Sequence, residues 1–427
     1  MSPKNDLPRV LNNMEAGWTI LNETFPLCVL CVLHLNDRPE ISILRAALKK
    51  LQLRHQLLRS EIVQKDGKNF FKELVPAPPL NLIIEQRLRP DTWRTISEKR
   101  LNDRILKSGP LMDCCYVFDE TDSRAELLVR FHHSIIDGVS ARLILHEILC
   151  LSGGQALPEP ANHLANPSLP PPYQSWSFFK KLVPFLKRQL VEEWQFFRHG
   201  LSVPIPATSV NSIISIELNP TLSRKLSVKI GRQGLNLNNV LLACITKAVL
   251  QHGIVAPKSG IARMISFASL RSQLLPPVSN QDMGCYISML RLGIPVNDQL
   301  SILDLARAIR KKIIQSSRLG DIFIFSRIST FLVKAILRFQ NMRLGLSGLS
   351  FIGKLDLQST YNTIQLQRVN AYINSNRLGP VFSAFGKVLF GTIGLDFTYM
   401  PSEVDPEKAA QIAHSVKKSL EEIAAMD

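Results

Sequence analysis

Long apolar runs are missing from this 427-residue chain. The longest, Phe25 to Leu33, has the length of a buried strand and falls well short of the roughly 20 residues that a bilayer-spanning helix needs. No membrane-spanning segment is expected. The opening stretch MSPKNDLPRVLNNME has no apolar core of the kind a secretory signal carries, so no export is expected either. Cysteine is sparse and odd in number, seven in all, without the spacings of a disulfide framework; reduced thiols of a cytoplasmic protein are the expectation. Cys28 and Cys31 lie inside one strand-like run, where their odd spacing puts the sulfurs on opposite faces. Packing explains them better than ligation, and with no second Cys/His cluster of suitable spacing no metal is expected. Glycine and proline, 21 and 26 residues, are at ordinary levels, which excludes collagen-like and low-complexity classes. Acids are also in deficit: 35 Asp and Glu against 51 Lys and Arg leave a net charge of +16. Such a field attracts anionic ligands, acidic proteins, nucleic acid or anionic lipid.

What is present is a chain that can bury a sizeable core, 45% hydrophobic and 20% charged. Its length suggests two or three domains. Leu44, Ala47, Leu48, Leu51, His55 and Leu58 recur at helical steps and predict an amphipathic helix, with His55 on its apolar stripe as a hydrogen-bonded core histidine. Strand-like segments follow at Asn69 to Leu74, Asn81 to Glu85, Asp113 to Phe118 and Glu126 to His133. Six prolines between Pro158 and Pro172 exclude a helix or central strand there and mark a connection. Beyond it come a Trp- and Phe-rich basic helix from Ser175 to Arg198, a strand near Ser212 to Leu218 and a helix from Leu237 to Gln251. The expected organisation is an α/β protein with an N-terminal lobe over residues 1–172, including the connection at 158–172, and a C-terminal lobe over 173–427. Arg307 to Arg343 holds nine Lys or Arg and one acid, Asp321.

The segment that points to chemistry is Glu126 to Ala141, where an apolar strand runs into His132-His133 and then Asp137-Gly138 before a helical pattern. Strand alternation groups His133 with Phe131, Val129 and Leu127, and His132 with Arg130 and Leu128. A histidine among apolar neighbours stays neutral near pH 7 and able to accept a proton, as a general base must. Asp137 could cap the following helix, and Gly138 could take backbone angles closed to other residues.

His-His-x3-Asp-Gly at a strand-to-helix turn resembles the signature of the CoA-dependent acyltransferase superfamily, which includes condensation domains of peptide synthetases, chloramphenicol acetyltransferase and wax ester synthases. Leu44-Arg45-Ala46-Ala47-Leu48 through Arg54-His55 to Leu58-Arg59 looks like the first helix of its free-standing, polyketide-associated branch, typified by phthiocerol dimycocerosyl transferase. Ser269-Leu270-Arg271 with Leu274 to Pro277, the glycine turn Gly284 to Ser288, and Asn374-Ser375-Asn376 to Gly379 resemble later segments of that branch. The histidines lie in the first third of the chain, as in the two-lobed members, and the Asp-Phe-Gly-Trp-Gly element of the plant branch is absent, with Phe390 to Gly394 a loose counterpart.

The resemblance implies two chloramphenicol-acetyltransferase-like lobes, each a mixed sheet flanked by helices, with a tunnel between them. It implies acyl transfer from a thioester to a hydroxyl or amine, with His133 as general base. His132, Asp137, Gly138 and Arg271 would be structural residues of the site, Asp137 pairing with Arg271 across the lobe interface. Ser288, Ser375 and Asn376 would line the substrate channel. No permanently bound cofactor is implied: acyl-CoA or a phosphopantetheinyl carrier thioester is the co-substrate, and an acyl carrier protein or acyl-CoA is the donor partner. The basic stretch Arg307 to Arg343 could be a solvated face or could steer such anionic donors, and Ile322 to Leu349 has enough apolar residues to rest on an anionic membrane. A cytoplasmic monomer, with peripheral membrane contact, is expected. The rival classes are an inactive condensation-like scaffold and a nucleic-acid binder; no zinc-finger or RRM-type signature supports the latter, so no nucleic-acid partner is expected.

Overall fold

A computed structural model describes residues 9–159, 165–201, 208–254, 260–338 and 343–426. The chain begins with β1 (Arg9–Val10) and α1 (Asn13–Thr24), then β2 (Cys28–Leu35), α2 (Ile41–Arg54), β3 (Ser60–Lys65), β4 (Lys68–Glu73) and β5 (Asn81–Gln86). α3 (Thr92–Asn102), β6 (Met112–Phe118), β7 (Ala125–His132) and α4 (Gly138–Ser152) follow. Downstream lie α5 (Ser177–His199), β8 (Ser212–Glu217), α6 (Pro220–Arg232), α7 (Leu237–Gln251), β9 (Gly260–Ser269) and β10 (Ile287–Val296). The chain continues through α8 (Ile302–Leu319), α9 (Asp321–Arg338), β11 (Ser347–Lys354), β12 (Thr360–Tyr361), β13 (Ile364–Ile373), β14 (Phe382–Leu389), β15 (Thr392–Tyr399) and α10 (Pro406–Ala425).

These elements form two compact units, and a single cut at residue 172 does not describe them. The first unit takes residues 1–168 together with Arg271–Tyr286 and Asp356–Ala371; the second takes Leu169–Leu270, Ile287–Leu355 and Tyr372–Asp427. The correction has a physical cause. Both returning segments are tied into the first unit, one by hydrogen bonds from Arg271 to Asp137, the other through the sheet that β12 and β13 extend. Sequence composition marks where a chain is flexible but not which distant strand completes a sheet.

The first unit holds a six-stranded sheet in the order β12-β13-β2-β7-β6-β5 and a smaller one in the order β1-β4-β3. β2 and β7 are buried along their whole lengths and run antiparallel, with Cys28 opposite His132 and Val29 opposite Phe131. Covering on both faces explains why these strands read as continuous apolar runs. α2 packs on α4, and between them His55 Nε2 lies 2.6 Å from Glu147 Oε2 while Arg54 reaches the same carboxylate. His55 is thus the hydrogen-bonded core histidine that its place on the stripe predicts.

The second unit holds a six-stranded mixed sheet in the order β10-β9-β11-β14-β15-β8, with β11 parallel to both β9 and β14 and the other pairs antiparallel. α6, α7, α8 and α10 flank it. Both units are therefore mixed sheets flanked by helices. Among the described residues no helix is long and apolar enough to cross a membrane. Residues 160–164 of the proline-rich connection lie outside the described residues.

Candidate functional site

The two histidines do not share one strand. β7 ends at His132, and the chain turns at His133 into a single 3-10 turn, His133–Ile135, before Asp137 caps α4. The alternation that groups His133 with Phe131 therefore stops one residue early, because the turn re-aims the ring. Asp137 Oδ1 accepts from the Ser140 amide at 2.8 Å, satisfying one of the orphan donors of the first helical turn. Gly138 opens α4 as an ordinary helical residue. The special backbone angle expected of it is not what it supplies.

His132 is fully buried at 0% exposure, and His133 is nearly so at 4%. The Nδ1 of His132 accepts from the Ser134 amide at 3.2 Å, which assigns the ring proton to Nε2, and the Ser134 hydroxyl lies 2.6 Å from the same nitrogen. Burial, and secondarily the charge of His133, push the His132 pKa down to about 3. This ring orients the turn and cannot exchange protons near neutrality. Burial also lowers the His133 pKa, while nearby backbone carbonyls at His133 and Ile136 and the charge of Asp137 favour its protonated form. Its Nδ1 is enclosed and has no partner of good hydrogen-bond geometry. The net direction is downward, so the imidazole stays neutral near pH 7, with those neighbours offsetting part of the burial.

Sequence reading missed the residue that holds this ring. Trp18, on α1, stacks on His133 with ring centroids 4.7 Å apart and planes at 14°. α1 is started by Asn12, whose side chain accepts from the Glu15 amide at 2.9 Å while Glu15 Oε2 accepts from the Asn12 amide at 2.8 Å. This is a reciprocal capping box. The Asn12-x-x-Glu15 spacing could have revealed the helix start, though nothing in the sequence pairs Trp18 with His133. Glu15 is buried and bonded to Arg9 at 2.7 Å. Burial pushes its carboxyl above the usual range, against the pull of Arg9.

Asp137 and Arg271 form a bidentate pair. Arg271 Nε meets Asp137 Oδ2 at 3.0 Å and Arg271 Nη2 meets Asp137 Oδ1 at 3.0 Å. With the Ser140 amide on Oδ1 and the Tyr286 amide on Oδ2 at 3.1 Å, the carboxylate accepts four hydrogen bonds. That fills its acceptor capacity. Arg271 also donates to the carbonyls of Ser279 and Asp282 and to the Ser140 hydroxyl. Gly284 is bound at both its amide and its carbonyl by that hydroxyl. A Cβ at Gly284 would lie 2.4 Å from the Tyr286 ring, so only glycine allows the approach. The pairing expected across a lobe interface is instead internal to the first unit, since Arg271–Tyr286 belongs to it.

The remaining candidates lie in the second unit. Ser288 Oγ donates to the Ile322 carbonyl at 2.6 Å. Ser375 Oγ donates to the Pro380 carbonyl at 2.8 Å, and Asn376 Oδ1 accepts from the Leu378 amide at 3.0 Å. Ser375 and Asn376 thus hold a turn of their own segment, and Ser288 ties β10 to α9. An open cleft of about 690 Å³ lies against α8, lined by Arg307, Arg310, Lys311 and Arg318 with Gln233 and Gly234, and no acid lines it. Among the described residues no group of three or more His, Cys, Asp or Glu side chains is arranged to hold a metal ion.

Residues 27–180 match the Condensation domain family. The chain is similar to surfactin synthase subunit 2 of Bacillus subtilis, 28% identical over 132 residues, which are 31% of this chain and 4% of that protein. It thus spans a small fraction of the curated relatives it matches. Its fold is similar to that of the trichothecene 15-O-acetyltransferase TRI3 from Fusarium sporotrichioides, with a TM-score of 0.76 at 12% identity over 97% of this chain and 94% of that one. It is likewise similar to polyketide synthase associated protein 5 from Mycobacterium tuberculosis, with a TM-score of 0.67 at 15% identity over 96% and 98% of the two chains. The His-His-x3-Asp-Gly turn thus lies inside the segment that matches the Condensation domain family, and along nearly its whole length the chain shares the fold of these solved structures.

Proposed function

We propose that this protein is an acyltransferase of lipid, polyketide or nonribosomal peptide-type metabolism. It moves an acyl group from a thioester to an alcohol or amine. The observation that carries the reading is the His133 ring: neutral, nearly enclosed, stacked on Trp18 and beside a carboxylate that is already saturated.

In the proposed step His133 takes the proton from the acceptor O–H or N–H as that atom attacks the thioester carbonyl. The tetrahedral intermediate collapses with loss of the C–S bond, and the thiolate recovers the proton from the imidazolium. Products are an ester or amide and a free thiol. Asp137 and Arg271 hold the turn that aims the ring, and His132 sets its approach. Ser288 enters as a channel candidate through the link it makes between β10 and α9, and Ser375 and Asn376 through the turn they brace. The donor is an acyl-CoA or an acyl carrier protein, and the cation-lined cleft on α8 supports an anionic donor of either form.

The test is to incubate the chain with acyl-CoA and acyl-carrier thioesters and with alcohol and amine acceptors, reading thiol release and product mass. Acceptor-dependent ester or amide formation, lost in a folded His133→Ala variant, supports the reading. Hydrolysis that ignores the acceptor ends the transferase assignment. Cellular function that survives His133→Ala establishes the scaffold reading in its place.

A further inference from the structure

Ile322 to Leu349 is the stretch whose composition suggests contact with a membrane, but the start of its helix α9 is turned inward while Phe331 further along is exposed. Ile322, Ile324 and Phe325 are buried, and Ile324 and Phe325 pack with Phe178 and Phe185 of α5 in one cluster. Residues 339–342 lie outside the described residues. It is α5 that turns an apolar face to solvent.

Trp176, just before the helix, and Phe179, Val183, Leu190, Trp194 and Phe197 along it are all exposed, Trp176 at 84% and Phe197 at 89%. Their three- and four-residue steps, with Leu186 completing the row, put them on one stripe. The 23-residue helix extends it over roughly 35 Å at about 1.5 Å per residue. Contiguous exposed apolar surface of this kind is uncommon on soluble monomers and marks a contact surface.

Charge selects the occupant. The two acids of α5 are partly exposed but neutralised within the same unit: Glu192 by Lys312 at 2.6 Å, and Glu193 by Arg263 at 2.6 Å and by Arg291. Lys180, Lys187 and Arg198, separated by nearly whole numbers of turns, run along one edge of the stripe. The neighbouring α9 repeats the pattern, with Arg327, Phe331, Lys334 and Arg338 exposed along one side. A second copy of this chain would bring like charges together along the seam, where paired helices place opposite ones. Aromatic and aliphatic side chains bordered by unpaired lysines and by acids already bound to cations fit the interfacial layer of an anionic bilayer.

We infer that the exposed face of α5 is a peripheral attachment site for an anionic lipid surface, with the aromatic stripe entering the headgroup boundary and the lysines and arginines above it. The inference does not depend on the chemistry of His133, and its test reads no activity. The full chain is mixed with vesicles of phosphatidylcholine alone or with phosphatidylglycerol added, and bound protein is measured by flotation. Binding is expected with the anionic vesicles and is weakened by high salt. Trp194→Ser or Phe197→Ser lowers partition by about tenfold or more, as expected when one large apolar side chain no longer leaves water. Lys180→Glu and Lys187→Glu lower it by at least about fivefold each. These positions are exposed, so circular dichroism and the melting temperature should match the parent. Two of the four tryptophans lie on the stripe, so a blue shift in emission accompanies binding and disappears in Trp176→Phe/Trp194→Phe while flotation persists. Failure to float with anionic vesicles overturns the inference, as does flotation that survives the serine and glutamate variants. Concentration-dependent self-association, abolished by the same variants in a chain that ignores vesicles, overturns it in favour of a dimer seam.

Discussion

The Trp18 indole lies nearly parallel to the His133 imidazole, 4.7 Å away at 14°, so the ring proposed as base is held by a π-face. An aromatic face attracts a cation, which stabilises the imidazolium that forms as the acceptor loses its proton.

Replacing Trp18 should therefore act on the base itself. Trp18→Leu is expected to lower kcat by about tenfold, the effect of losing about 1.4 kcal/mol of stabilisation. The acid limb of the pH profile should move to lower pH, because the protonated ring is less favoured. Trp18→Phe should recover part of both. A loss of rate with an unmoved pH limb would reduce Trp18 to packing alone.

Arg271→Ala leaves a buried carboxylate without its guanidinium and should destabilise the protein by about 3–5 kcal/mol, read from denaturant midpoints. Asp137→Asn should cost less, since it removes the charge but keeps oxygen for the Ser140 amide. In Asp137→Ala/Arg271→Ala the losses should fall short of additive, because the two side chains share one network.

His132 makes stability depend on pH. Its folded pKa of about 3 lies below the ordinary histidine value of about 6.5, so the unfolded chain binds the proton first as pH falls. Its contribution is present above about 6.5 and is lost at about 1.4 kcal/mol per pH unit below it. The melting temperature should decline from pH 6.5 toward pH 4, and His132→Asn should flatten that slope by about one proton.

The cleft on α8 can be tested by charge. Arg310→Glu and Lys311→Glu, singly, should raise KM for an anionic thioester donor while leaving kcat unchanged, and added salt should narrow the difference from the parent. An unchanged KM would remove the cleft from donor binding.

Much of the local structure was legible without coordinates. The expected helix from Leu237 to Gln251 is α7 residue for residue, and the strands at Asn69, Asn81, Asp113 and Glu126 lie within about a residue or two of β4, β5, β6 and β7. Periodicity suffices there because each element buries one face or both. The His-His-x3-Asp-Gly turn was also legible, since its residues are adjacent in the chain.

The amino-acid order alone determined the elements, the neutrality expected of a histidine beside an apolar strand and the excess of positive charge. Only the tertiary structure decided which groups meet. It stacked Trp18 on a ring 115 residues away, closed Arg271 onto Asp137 inside the first unit, and paired the acids of α5 with cations of the second unit while one row of its aromatics stayed exposed. Contacts between residues distant along a chain depend on the packing of whole sheets and helices, and no local pattern of side chains records that packing.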